Sequence, residues 1–413
     1  MKRLLLLVLL VLALPAQAAK TQEVFKRFQD RIVQIRILES SSGSRVALGS
    51  GFSVSRDGEI VTNYHVVSEL VQKPQQYRAE IVYFDGSTSP LKLLSFDVVR
   101  DLAIVSGKPM NATFELYAPP LAQGTRVFSI GTPLDLGFTI VEGTYNGLLE
   151  KSQYEKIHFT GSINPGMSGG PTIMEDGRVI GVNVATSGNQ VSFLVPAKFV
   201  IALLQQVRRA DSPKPTHATM TEQLMQNQQY FMKRLLEGNM ELVTLGTFQL
   251  PGKIAPYLKC WGNTNRDDDD QFQHLSHFCS SGDDLYISSS HRIRFINFRH
   301  DYFASELLSQ RRFFKLYQRY FDDHDENFYA GKEDVTKFKC TTDFVAHGGL
   351  TLRTVLCMRA YKKLPGLYDA VLKVATLGNE RRGVMTTLEL GGVSYDNALH
   401  FARNYLEGIA WKK

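Results

Sequence analysis

The sequence predicts an all-β barrel pair or sandwich in its first half and an α+β, disulfide-stapled domain in its second. Three observations carry that reading. From Gln22 to about Leu204, short apolar strands follow one another between glycine turns, with little helix. Beyond Thr219 the pattern changes to helical periodicity interleaved with hairpin-like strands. All four cysteines, Cys260, Cys279, Cys340 and Cys357, lie in that second part. At about 150 residues per domain, 413 residues are too many for one core. A content of 43% hydrophobic and 21% charged residues excludes collagen, coiled coil, polytopic membrane protein and wholesale disorder.

The N-terminal MKRLLLLVLLVLALPAQA sets Lys2 and Arg3 before an apolar run from Leu4 to Leu14 and ends on Ala16-Gln17-Ala18. This is the pattern of a secretory signal peptide over 1–18, leaving Ala19 as the mature terminus. The apolar run is too short to span a bilayer, and no later segment is long enough. Lys and Arg number 47 against 41 acidic residues, or +6; without the leader this becomes 45 minus 41, or +4. So mild and interleaved a charge names no nucleic acid or other anionic partner.

The first domain, 19–208, contains the strands RIVQIRIL, GSGFSVS, EIVTNYHVV, RAEIVYF, LAIVSG, TRVFSIG, KIHFTGS, GRVIGVNVA and VSFLVPA, with Asp57-Gly58, Asp85-Gly86 and Asp176-Gly177 as turns. A helix over Ala197–Arg209 closes it, and 209–219, with Pro213 and Pro215, reads as a linker. In 220–413 the pattern predicts a helix over Met220–Glu237 and strands over Phe248–Phe298. A second helix over Asp301–Phe321 follows from the spacing of Phe303, Leu307, Phe314, Tyr317 and Phe321. Hairpins over Val335–Leu390 and a last helix over Tyr395–Ile409 complete the chain. Leu258-Lys259-Cys260 and Phe338-Lys339-Cys340 open two similar stretches, either an internal duplication or two like hairpins.

Export to an oxidising compartment makes disulfides the expectation for the cysteines. If Gly348-Gly349 form a two-residue turn, facing positions sum to 697, and 340 plus 357 is 697. The count places that pair at a non-hydrogen-bonded site, where Cα atoms approach closely. Cys260 and Cys279 then pair by default. Neither pair has tight metal-ligand spacing.

Serine hydrolysis of a peptide needs a nucleophile on a tight turn, a base, a carboxylate to orient the base, and N–H donors for the oxyanion. Asn164-Pro165-Gly166-Met167-Ser168-Gly169-Gly170-Pro171 supplies the turn, with the N–H groups of Gly166 and Ser168 aimed at one pocket. The base candidate is His65, in Thr62-Asn63-Tyr64-His65-Val66-Val67. The carboxylate candidate is Asp101, in Arg100-Asp101-Leu102-Ala103-Ile104-Val105. Each alone reads as a plain loop, core or strand-edge residue. Together, in the order His, Asp, Ser and each at a strand edge, they match one known order of the triad.

With Gly49-Ser50-Gly51-Phe52, TNYHVV, RDLAIV, INPGMSGGP, Gly131-Thr132-Pro133 and Val179-Ile180-Gly181-Val182-Asn183, residues 25–205 resemble trypsin-like serine proteases of the HtrA/Deg type. The resemblance implies two six-stranded antiparallel barrels, with His65 as base, Asp101 orienting it and Ser168 as nucleophile. Gly166 and Ser168 would supply the oxyanion N–H groups. Met167 stands where that family usually has Asn, a position at which it uses the backbone. No Ile-Val-Gly-Gly segment exists for activation by cleavage to a new N-terminus. Ser162 stands six residues before the nucleophile, where trypsin-type enzymes keep an acid. With Ile163 and Val184–Thr186 (Val184, Ala185, Thr186) it forms a pocket suited to a small or medium apolar P1 side chain.

Residues 220–413 match no PDZ pattern. Asp267–Asp270 lack the ligand spacing of a calcium loop. Arg311–Tyr317 reads as a helix with a core face rather than a nucleic-acid surface, and His274, His277 and Cys279 read as surface histidines beside a disulfide. The sequence therefore points to an exported, periplasmic serine endopeptidase needing no cofactor or metal. Its partners are polypeptide substrates, and 220–413 form a targeting or regulatory domain. The alternatives are extracellular release and a binding or scaffold protein of the cell envelope on a protease fold.

Overall fold

The computed structural model describes residues 16–188, 190–209, 214–265, 271–322, 328–378 and 380–412. Of the expected leader, 1–15 lie outside the described residues, as do 267–270 of the acidic run; Ala16–Ala18 open helix α1 (Ala16–Phe28). The chain divides into two units, Met1–Leu149 with Glu155–Thr219, and Met220–Lys413 with the short segment Glu150–Tyr154. No helix of the described residues is long and apolar enough to cross a membrane.

The first unit opens with β1 (Ile32–Glu39), β2 (Arg45–Ser53) and β3 (Glu59–Thr62), then the one-turn helices α2 (Tyr64–Val67) and α3 (Glu69–Gln72). β4 (Tyr77–Tyr83), β5 (Thr88–Pro90), β6 (Lys92–Asp97) and β7 (Leu102–Ser106) follow. They pair in the order β5-β4-β1-β2-β3-β7-β6. β5 and β6 stand at opposite ends of that order, yet only Leu91 separates them in the chain. The sheet must therefore curl into a half-barrel, with Leu91, whose N–H donates to the Ala79 carbonyl of β4, carrying the chain from one edge to the other.

A second barrel closes fully in the order β10-β13-β12-β11-β8-β9. Its strands are β8 (Arg126–Gly131), β9 (Thr139–Leu148), β10 (Ile157–Phe159), β11 (Pro171–Ile173), β12 (Val179–Thr186) and β13 (Ser192–Pro196). The fold class is thus the expected all-β double barrel. Phe52, Val61 and Ile104 of the first barrel join Phe128, Ile130 and Val182 of the second in one buried cluster. Each such side chain contributes about 1.5–3 kcal/mol on burial. Helix α4 (Ala197–Val207) adds Val200, Leu203 and Leu204 to the same cluster.

The second unit carries α5 (His217–Glu237), which begins three residues before the expected Met220. A hairpin of β14 (Leu242–Leu245) and β15 (Phe248–Pro251) follows. Next come β16 (Lys259–Asn265), β17 (Gln273–Ser280), β18 (Asp284–Ser288), β19 (His291–Arg294) and β20 (Ile296–Ala304). After α6 (Gln310–Asp322) and β21 (Tyr329–Ala330) come β22 (Lys339–His347), β23 (Leu350–Ala360), β24 (Tyr368–Leu377) and β25 (Arg382–Val393). Helix α7 (Tyr395–Glu407) and β26 (Ala410–Trp411) end the chain. The main sheet runs β16-β17-β20-β25-β24-β23-β22.

The two disulfides, Cys260–Cys279 and Cys340–Cys357, sit in the hairpins at the two edges of this sheet. Across the second hairpin His347 faces Leu350, Cys340 faces Cys357, and every pair sums to 697. The Cα atoms of that cysteine pair are 3.9 Å apart.

The expected helix over Asp301–Phe321 is half wrong. Asp301–Ala304 instead complete β20, facing Ser276, Leu275, His274 and Gln273 of β17. The Ser305 hydroxyl then accepts the Leu308 N–H and ends the strand, and the helix starts only at Gln310. Phe303 is buried by the sheet, while Leu307, counted to the same helical face, is 77% exposed. Phe313, Tyr317 and Phe321 form the real buried stripe.

Candidate active site

His65 lies in the first turn of α2, directly after β3. Asp101 lies in the turn between β6 and β7, with φ at 55°, a left-handed conformation that Asp tolerates better than most residues. The turn is built by Asp97, whose Oδ1 accepts the N–H groups of Val99 and Arg100. Asn63, fully buried, donates its side-chain amide to the Asp101 carbonyl at 2.7 Å. Asp101 then takes two bonds from one residue. Its Oδ1 accepts the His65 main-chain N–H at 2.8 Å, and its Oδ2 is 2.6 Å from His65 Nδ1. A carboxylate is an acceptor only, so Nδ1 carries the proton and Nε2 keeps its lone pair.

Ser168 occupies the loop between β10 and β11. Asn164–Met167 form a β-turn closed by Met167 N–H to Asn164 O at 3.0 Å. Pro165 sits at its second position and Gly166, with φ at +95°, at its third, the preferences of a type II turn. A Cβ on Gly166 would stand 2.5 Å from the Thr132 carbonyl oxygen. A further turn is closed by Gly170 N–H to Met167 O at 3.1 Å, with Gly169 at φ +85°. Gly169 presses on the strand that leads to His65: an added Cβ would meet Thr62 Oγ1 at 2.3 Å and Asn63 N at 3.0 Å. The N–H groups of Gly166 and Ser168 have no backbone acceptor among the described residues.

Several residues that hold this loop were given no role from the sequence, although Ser50 and Asn183 lie in motifs that carry the resemblance. Ser50 is completely buried on β2; its hydroxyl donates to the Gly166 carbonyl at 2.7 Å and accepts the Thr132 N–H. Its own N–H donates to the Ser168 carbonyl. Asn183 on β12 donates its side-chain amide to Met167 O, while its Oδ1 accepts Ser129 and Thr172 hydroxyls. Its backbone bonds Gly169 and Gly170. On the other side, Leu134 N–H donates to the Pro165 carbonyl at 2.8 Å, at the turn's central peptide. Leu134 and Asp135 both have positive φ, and Asp135 is held by Gln34 at 3.0 Å and Arg45 at 2.5 Å. The signal available was Ser50 between two glycines: Cβ atoms at Gly49 and Gly51 would collide with Val66 and Ile60.

Of the expected pocket, Ser162, Ala185 and Thr186 are exposed and Val184 is half-buried. Ile163 is buried in the core cluster of the second barrel with Phe159, Met167 and Leu194. Its N–H donates to the Ser192 hydroxyl.

The family model for the trypsin-like peptidase domain matches residues 49–182. Residues 49–182 are thus similar to a trypsin-like peptidase domain. Among curated relatives, Serine protease HTRA1B of Danio rerio is 31% identical over 189 residues, 42% of this chain and 38% of that protein. A probable periplasmic serine endoprotease DegP-like of Chlamydia pneumoniae is 31% identical over 183 residues, 41% of this chain and 36% of its own. The solved structure of Deg5 covers 47% of this chain and 96% of its own at 27% identity and a TM-score of 0.41. The chain thus spans well under half the length of the two curated relatives. Within the trypsin-like domain, the motif that contains Ser50 begins at the matched region's first residue, Gly49.

In the second unit, Cys279 is bonded to Cys260, so the cluster of Cys260, His277 and Cys279 offers no free thiolate to a metal. His274 is engaged by Asp301 at 2.7 Å.

Proposed function

We propose that this protein is an exported serine endopeptidase that cleaves polypeptides through an acyl-enzyme. Its triad is His65, Asp101 and Ser168. The observation that carries the reading is the double hold of Asp101 on His65, which leaves Nε2 as the basic nitrogen. Ser168 Oγ attacks the scissile carbonyl while His65 Nε2 takes its proton. The imidazolium, stabilised by Asp101, returns that proton to the leaving amine, and water repeats the sequence to release the acid. Charge on the tetrahedral oxygen is met by the N–H groups of Gly166 and Ser168. Ser162 brings no charge to the P1 pocket, which favours small or medium apolar side chains. The second unit targets or restrains the protease. The leader pattern, the disulfides and the printed name of the Chlamydia relative favour the periplasm.

The test is labelling by a serine-directed phosphonate together with casein cleavage, using residues 19–413 and the same chain with Ser168→Ala. Labelling and cleavage that both disappear in Ser168→Ala are expected. Absence of labelling in the unmodified chain would return the fold to the binding-protein alternative.

A further inference from the structure

Strand β22 (Lys339–His347) is the last strand on one side of the main sheet and pairs with β23 alone. Apart from Val345 and His347, every residue of it is exposed. Sheet edges are ordinarily guarded by bulges, prolines or close-set charges. Here the pairing with β23 runs from Lys339 to His347 without a shift, and the strand holds no proline and only two acidic or basic side chains besides His347, Lys339 and Asp343.

Pairing fixes which main-chain groups look outward. Gly348-Gly349 close a two-residue turn, so His347 and Leu350 form a hydrogen-bonded pair and the sites alternate from there. Asp343 is then a hydrogen-bonded site, and its carbonyl does lie on the β23 side, accepting the Thr354 hydroxyl at 3.1 Å. The N–H and C=O groups of Cys340, Thr342, Phe344 and Ala346 face away from the sheet. Among the described residues, the outward N–H groups of Cys340, Thr342 and Ala346 have no acceptor, and that of Phe344 donates to Asp343 Oδ1 at 2.7 Å. The row is also held at both ends. Cys340–Cys357 ties its start to β23, and at its far end His347 Nε2 donates to the Glu407 carbonyl at 3.1 Å. A strand already fixed in extended form loses little freedom on accepting another.

We propose that β22 binds an extended polypeptide segment as a further strand of the main sheet, with a Lys or Arg facing Asp343 and apolar residues on either side of it. The outward row asks for a backbone, since a strand offers donors and acceptors at the spacing of alternate residues, about 6.7 Å. Asp343 decides what kind. Toward an incoming strand it stands at a non-hydrogen-bonded site, where facing side chains come closest. A basic residue there draws its carboxylate off the Phe344 N–H and frees that donor for the new ladder. A second copy paired along the whole of β22 would instead set two Asp343 carboxylates opposite one another. Phe344, 64% exposed, lies on the other face and gives the residue beside the basic one an apolar neighbour.

Binding of this kind needs no peptidase activity, and residues 19–413 with Ser168→Ala are used so that cleavage cannot mask it. The probes are fluorescent nine-residue peptides of alternating threonine and valine with a central lysine or a central glutamate, followed by anisotropy. Saturable binding of the lysine peptide is expected, about threefold or more tighter than the glutamate peptide. Thr342→Pro removes one outward N–H and leaves the ladder with β23 whole; it should weaken the lysine peptide about fivefold or more. Asp343→Lys, a change at an exposed position, should reverse the order of the two peptides. No saturable binding, undiminished binding by Thr342→Pro protein with an unaltered far-ultraviolet spectrum, or an order that Asp343→Lys leaves unchanged would each overturn the proposal. So would a dimer in sedimentation equilibrium that Thr342→Pro dissolves, which would give the edge to a second copy.

Discussion

His65 receives both oxygens of one carboxylate, so position 101 tolerates very little. An amide there offers one acceptor for two N–H groups, and its NH2 must face either the His65 main chain or the ring. Asp101→Asn should therefore lower kcat/KM on a peptide substrate on the order of 10⁴-fold, with an unchanged far-ultraviolet spectrum. A loss under tenfold would place the base elsewhere. Gly166→Ala meets two obstacles at once, φ at +95° and a Cβ 2.5 Å from the Thr132 oxygen. Tilting that peptide should reduce kcat about 10²-fold or more with little change in KM; a KM-only effect would mean that the Gly166 N–H does not meet the oxyanion. The triad candidates were legible because His65, Asp101 and Ser168 each sit in a distinctive local string. Ser50 and Asn183 stood in recognisable motifs, but their roles were not legible: a buried hydroxyl and a buried amide gain a role only when the barrels bring β2 and β12 against the Ser168 loop.

At the scale of elements, the hairpin of β22 and β23 was readable to the residue because its turn leaves no slack. Gly348 and Gly349 both have positive φ, the requirement of a two-residue hairpin turn, and fix the register that pairs Cys340 with Cys357. The stretch 301–304 was misread because Phe303 fits two periods, the alternation of β20 and the helical spacing that begins in earnest at Phe313. Long-range pairing with β17 decided it, and no local window contains that partner. Removing the second staple with Cys340→Ala and Cys357→Ala should destabilise the second unit by about 3 kcal/mol, given a separation of 17 residues. Denaturant titration should show the first unit, which has no cysteine, unmoved; a matching shift in it would mean that the units do not unfold separately. The loop after β8 offers a second test. Arg45 holds Asp135, and the neighbouring Leu134 N–H holds the Pro165 carbonyl. Arg45→Met should cut kcat about 3- to 10-fold through looser placement of the oxyanion turn, leaving the melting temperature nearly unchanged. An unaltered kcat would remove Arg45 from that chain of contacts.

For the molecule as a whole, the histidines that burial shifts downward all lie in the second unit. Burial pushes His291 and His300, both in the second unit, from the ordinary 6.5 down to about 4. His300 is enclosed between the Thr386 hydroxyl and the Pro251 carbonyl, each at 2.7 Å. The buried Nε2 of His291 has no partner among the described residues. Burial pushes His277 in the same direction. Below pH 6.5 the unfolded chain takes up protons that these rings refuse, so stability falls as pH drops from about 6.5 to about 4. The loss is at most about 3 kcal/mol for each of His291 and His300. Asp369 opposes this in part: burial raises its carboxyl despite Arg359 at 2.8 Å, and a raised group favours the folded state at lower pH. In the first unit, hydrogen bonds, above all from Arg45, hold Asp135 below its ordinary 3.8, and Lys20 does the same to Glu175 below 4.5. Stability from such groups is lost as pH falls from their ordinary values, 3.8 and 4.5, through the lowered ones, at the acid end of the window in which the histidines act and beyond it. Both tryptophans, Trp261 and Trp411, belong to the second unit, so their fluorescence follows it alone. Melting followed by tryptophan emission should move down by roughly 10 °C between pH 7 and pH 4.5. The transition of the barrels, followed by circular dichroism in β-sheet bands, should shift far less. A tryptophan midpoint that does not move would show that the buried histidines are not charged on unfolding in this range. Equal movement of both transitions would show one cooperative unit where the contacts indicate two.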